Sequence, residues 1–157
     1  MRASLLLALA FVLPVPGHAG EHPLSAPLET AASSPQAASD LSLVYDDLHG
    51  LYGGDRYMIR QQVLTHTHRA RGDADPVDRQ MKLSNAQLLE LARLLHTLAL
   101  WEQRVPDTQR RPDESRTRLE VTLQGQSASV WERHNDLEAT DRIVQVRHML
   151  DGWLQAP

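Results

Sequence analysis

Cysteine is missing from this 157-residue chain, which has one phenylalanine and 4% aromatic residues. Without cysteine there can be no disulfide, no thiol nucleophile and no cysteine-built lipid anchor. Stability has to come from a hydrophobic core. Long apolar runs are also missing, apart from Leu5 to Val15, which Pro14 interrupts. That run is shorter than the roughly 20 residues a membrane helix needs. Arg2 precedes it and Gly17-His18-Ala19 follows, the layout of a secretory signal peptide cut after Ala19. Residues 1–19 are therefore expected to be removed, leaving a periplasmic or secreted protein with no membrane span. An excess of basic charge is absent too: sixteen Lys+Arg against twenty Asp+Glu give −4. That argues against a nucleic-acid partner, which a basic face would attract.

Residues 20–40 are rich in Ala, Ser and Pro with no apolar period, and read as a flexible tether. Residues 41–157 read as a single α+β domain. "LSLVYDDLHG" starts as a strand, and Gly53-Gly54 marks a turn. From Arg56 to Ala70 the pattern alternates, as one long strand or two short ones bent near Gln61-Gln62. Read as continuous, it puts Tyr57, Ile59, Val63 and Thr65 on one face and Leu64, His66 and His68 on the other. A short extended piece, "RQMKL", leads into "SNAQLLELARLLHTLALW". There Ser84 and Gln87 form a capping box, and Leu88, Leu91, Leu95 and Leu98 form a buried stripe. "SRTRLEVTLQGQSASVWERH" reads as a hairpin turning at Gly125-Gln126, with Val121 opposite Val130. A last amphipathic helix runs from about Asp141, with Thr140 as its cap. The expected architecture is an antiparallel sheet of four to five strands with two helices packed on one face.

Catalytic motifs are missing as well. No GxSxG, SxxK or HExxH occurs, and "HGLYGG" lacks the spacing of a phosphate loop. "DADPVD" lacks the glycine and glutamate of a calcium loop. Asp46 and Asp47 are adjacent, so a strand points them to opposite faces and they cannot act as a carboxylate pair. The sharpest chemical feature is His66-x-His68, which a strand presents on one side. Zinc needs three or four ligands. His49 is the third candidate, and Asp46 or Asp47 a fourth. The alternative is a solvated sheet face in phase with Arg60 and Gln62. That reading is preferred, so no metal and no cofactor are expected. Trp131 stands on the hairpin face away from Leu119, Val121 and Leu123, beside Arg118, Glu120 and Arg133. With Tyr52 these residues are the expected partner-binding set, since Trp, Tyr and Arg are enriched among interface anchors.

The order "HGLYGGDRYMI", leucine helix ending in Trp101, "PDESRTRLEVTLQG" and closing helix resembles small exported bacterial domains. It is also similar in layout to emfourin-type metalloprotease inhibitors, with Gly53-Gly54 and Asp113 at the matching positions. The resemblance implies a fold and carries no inhibitory residue. The functional expectation is a non-enzymatic binding protein that blocks an exported enzyme or toxin, as an inhibitor or immunity protein does. The alternatives are a metal-binding protein using the His-x-His pair and a small enzyme with dispersed residues.

Overall fold

Leu43, Val44 and Tyr45 make a short apolar, β-prone run, and along it burial alternates residue by residue, as in a strand packed on one face. The computed structural model describes residues 22–49, 52–72, 75–103 and 115–155. Among them are six strands: β1 (Ser42–Asp46), β2 (Gly54–Arg60), β3 (Val63–Arg69), β4 (Val77–Lys82), β5 (Arg116–Leu123) and β6 (Gln126–Arg133). They form one antiparallel sheet in the order β4-β3-β2-β1-β5-β6. The α+β class is as expected, but the sheet has six strands rather than four to five. The long alternating segment is a hairpin, and "RQMKL" belongs to a paired edge strand, β4.

The break in that segment changes the faces. Gln61 and Gln62 both take positive φ, 48° and 63°, as the two central residues of a type I′ hairpin turn must. Cross-strand partners share a face, so Tyr57 sits opposite His66 and Ile59 opposite Leu64. The continuous reading, with Tyr57 and His66 on opposite faces, is therefore corrected. Glutamine pays about 1–2 kcal/mol for each left-handed residue. Tertiary pairing offsets it, including the Leu83 N–H donating to the Gln62 carbonyl at 2.7 Å. The β5–β6 turn is also displaced. Gln124 and Gly125 occupy it, both with positive φ. Val121 faces Ala128, and Leu119 faces Val130. A slip of two residues keeps every side chain on its expected face.

One sheet face carries the core. Leu43, Tyr45, Tyr57, Ile59, Leu64, Leu119, Val121, Leu123, Ala128 and Val130 are buried, with helices α3 (Asn85–Leu98) and α4 (Arg142–Gln155) over them. The α3 capping box forms: Ser84 Oγ accepts from the Gln87 N–H at 3.2 Å, and Gln87 Oε1 accepts from the Ser84 N–H at 2.9 Å. Leu88, Leu91 and Leu95 are fully buried and Leu98 partly so, while Glu90, Arg93 and Thr97 are exposed. Helix α4 begins at Arg142, and Thr140 lies too far back to be its cap.

The segment expected to be a tether is structured from Leu24 onward. Helices α1 (Ser25–Ser33) and α2 (Pro35–Ala38) pack on α3, and Leu24, Leu28, Ala31 and Ala38 are fully buried. The Arg93 guanidinium ties α3 to α1 through the Ala32 carbonyl at 3.0 Å. The Ala/Ser/Pro composition hid a short apolar stripe, because Leu24, Leu28 and Ala31 recur at helical spacing. No helix among the described residues is long and apolar enough to cross a membrane. The expected signal peptide lies outside the described residues.

Candidate functional site

The end of the sheet near Gly53-Gly54 gathers polar chemistry on both its faces. Gly54, at φ 125°, lets the chain pass so close to Asp47 that a Cβ there would stand 2.5 Å from the Asp47 carbonyl oxygen. That approach lets the Asp55 N–H donate to Asp47 Oδ1 at 2.6 Å. Asp46 points the other way and pairs with Arg56 at 2.7 Å, as the adjacent-residue argument requires.

On the helix side Arg147, one helical turn after Ile143 on α4, enters the sheet surface. Its Nη1 donates to Asp47 Oδ2 at 3.1 Å and its Nη2 to Asp55 Oδ2 at 2.9 Å. Its Nε lies 3.5 Å from Asp151 Oδ2, one helical turn on. The Tyr45 hydroxyl donates to Asp47 Oδ2 at 3.1 Å, and the Tyr57 hydroxyl donates to Asp151. Asp55 Oδ1 meets His66 Nε2 at 2.8 Å and His68 Nδ1 at 2.9 Å. The His66 ring stacks on Tyr57, 4.5 Å between centroids and 13° apart.

Burial sets the proton affinities in this cluster, and specific partners modify it. Burial holds the Asp47 carboxyl above its usual value, outweighing the bond from the Asp55 N–H and the attraction of Arg147. Burial also works to raise Asp55, but the hydrogen bonds to His66 and His68, together with Arg147, bring it below its usual value. Both Tyr45 and Tyr57 are pushed up, mainly by burial and then by neighbouring carboxylates. Burial opposes the Arg147 charge, but the surrounding oxygens outweigh it and hold its pKa above normal.

The histidine pair therefore does not sit on a solvated face with Arg60 and Gln62. It shares the helix-side face with Tyr57, and His66 is mostly covered while His68 is half-exposed. The third group beside it is Asp55. His49 is elsewhere, bridged to Gly53 and stacked on Tyr52 at 4.9 Å. Asp46 and Asp47 are engaged by Arg56 and Arg147. Asp55 and Arg147 escaped the sequence reading, although both left a signal. Asp55 is in strand phase with Tyr57, and Arg147 is a cation one turn from Ile143 and near Leu150 on an apolar stripe.

Around the same end of the sheet lies a cleft of about 680 Å³. His49, Tyr52 and Gly53 line one side, and Ser115, Arg133 and His134 the other. Tyr52 is exposed, with the Arg71 guanidinium 5.6 Å from its ring centre. From Arg133 the surface continues along the uncovered sheet face to Trp131. That indole is partly buried beneath the Arg116 guanidinium, 3.9 Å from its ring centre. Trp131 pairs with Arg118, which forms an ion pair with Glu120. Four of the five expected partner-binding residues are thus on one face, and Tyr52 joins them through the cleft. Gly54 opens β2, Gly53 bridges to His49, and Asp113 lies outside the described residues. No protein-family model and no curated protein matches this chain.

Proposed function

We propose that this protein is an exported, non-enzymatic binding protein of the cell envelope that blocks an exported or incoming enzyme. One observation carries the reading: the cleft that brings Tyr52 and His49 beside Arg133, which shares a face of β6 with Trp131 two residues away. Tyrosine, tryptophan and arginine are enriched among interface anchors, and the aromatic rings bury large areas at low entropic cost. The rest of the uncovered sheet face mixes polar residues such as Thr65, Glu120 and Ser129 with the partly buried Val44, Met58 and Val63.

The full chain, used as bait on periplasmic and secreted proteins, is expected to retain one enzyme. That enzyme, repurified, should lose activity as one equivalent of the chain is added. Tyr52→Ala, Arg133→Ala and Trp131→Ala should each weaken the complex by about 2 kcal/mol, roughly thirtyfold. Their melting temperatures should stay near wild type. A retained enzyme that keeps full activity, or wild-type affinity in all three variants, would overturn the reading.

A further inference from the structure

Beyond the cleft and independent of it, we infer that Asp55, His66 and His68 form a binding site for a first-row divalent metal ion of the zinc class. The three donor atoms lie within 4.8 Å of one another. They come from two hydrogen-bonded strands: Asp55 pairs directly with His68, and His66 is two residue pairs further along, opposite Tyr57. All three side chains rise from the same face, so one ion can meet all of them without backbone movement.

The distances suit metal replacement of the present hydrogen bonds. His66 Nε2 and His68 Nδ1 both converge on Asp55 Oδ1, at 2.8 and 2.9 Å. A tetrahedral zinc with bonds of about 2.0–2.1 Å spaces its ligand atoms by roughly 3.3 Å. Side-chain rotation of about half an ångström at each contact opens that space. One ligand is already oriented from behind. Arg147 holds Asp55 Oδ2 and leaves Oδ1 facing the imidazoles, the kind of outer support that bound metals rely on. The Tyr57 ring fixes the plane of His66.

Charge points the same way. Asp47, Asp55 and Asp151 surround a single guanidinium, Arg147. Three carboxylates against one cation leave two negative charges, which a divalent ion offsets. Two imidazole nitrogens and one carboxylate oxygen favour zinc, nickel or copper over magnesium or calcium, which prefer all-oxygen shells. His68 is 51% exposed, so the ion has a solvent path, and three protein ligands leave a position open on that side. Arg79 stands across from His66 on β4, but its side chain is exposed and free to extend into solvent.

The probe is Zn²⁺ itself, titrated by calorimetry into the metal-stripped full chain. One equivalent should bind, and excess Mg²⁺ should not displace it. Asp55→Asn and His68→Ala should each weaken binding by roughly a hundredfold or more, at least the upper end of what losing an outer-shell partner costs. His49→Ala should leave it unchanged. His68 is half-exposed, so His68→Ala should melt with the wild type, which separates metal loss from unfolding. Absent binding heat, binding that survives His68→Ala, equal loss in His49→Ala, or displacement by Mg²⁺ would each overturn the proposal.

Discussion

Tyr45 and Tyr57 show how much of this domain's polar order depends on single buried atoms. Both rings are almost fully buried, meet edge to face at 5.5 Å, and end in hydroxyls that donate to carboxylates. Their pKa values stand above 10.0 in the folded protein. The unfolded chain therefore loses these protons first as pH rises. The stability they contribute is fully present below pH 10.0 and is lost progressively above it. Two of the three tyrosines in the chain should titrate only as the domain unfolds, visible as phenolate absorbance appearing together with loss of circular dichroism. Tyr45→Phe should flatten the alkaline fall in stability, at the cost of the bond to Asp47. A Tyr45→Phe protein with an unchanged alkaline slope would show that the hydroxyl is not held protonated by the fold.

Among the elements, α3 has the most readable signal because everything that defines it is local. The capping box spans four residues, and the leucine stripe needs only a period of 3.6. Leu95 is fully buried and Thr97 is exposed. Leu95→Ala should cost about 2–5 kcal/mol in urea unfolding, from lost burial and the cavity left behind. Thr97→Ala should change stability by about half a kcal/mol or less. Equal midpoints would mean that α3 faces the core with its other side. The β2–β3 hairpin is the opposite case. Its turn carries Gln-Gln, where an Asn-Gly pair would have announced a type I′ turn. Nothing local distinguishes a turn there from a continuing strand. The displaced β5–β6 turn did little harm, because Gly125 sits in the true turn and a two-residue slip preserves side-chain facing.

The N-terminal segment alters the picture of the whole molecule most. Leu24, Leu28, Ala31 and Ala38 are fully buried against α3, so α1 and α2 belong to the core. Fully burying one leucine is worth about 1.5–3 kcal/mol, and small domains have only about 5–15 kcal/mol in total. A chain starting at Leu41 should therefore melt far below one starting at His22, or fail to fold. Equal melting temperatures would restore the tether reading. Local periodicity was enough to determine the α+β class, α3, α4 and the outward face of Trp131, because helix and strand periods are properties of neighbouring residues. The grouping of Asp55, His66, His68 and Arg147 was decided only in three dimensions. A two-residue turn at Gln61-Gln62 inverts strand parity, moving both histidines to the face of Tyr57 and Asp55. Arg147 reaches that face from α4, 92 residues beyond Asp55 along the chain. No spacing rule connects residues that far apart; the packing of α4 on the sheet does.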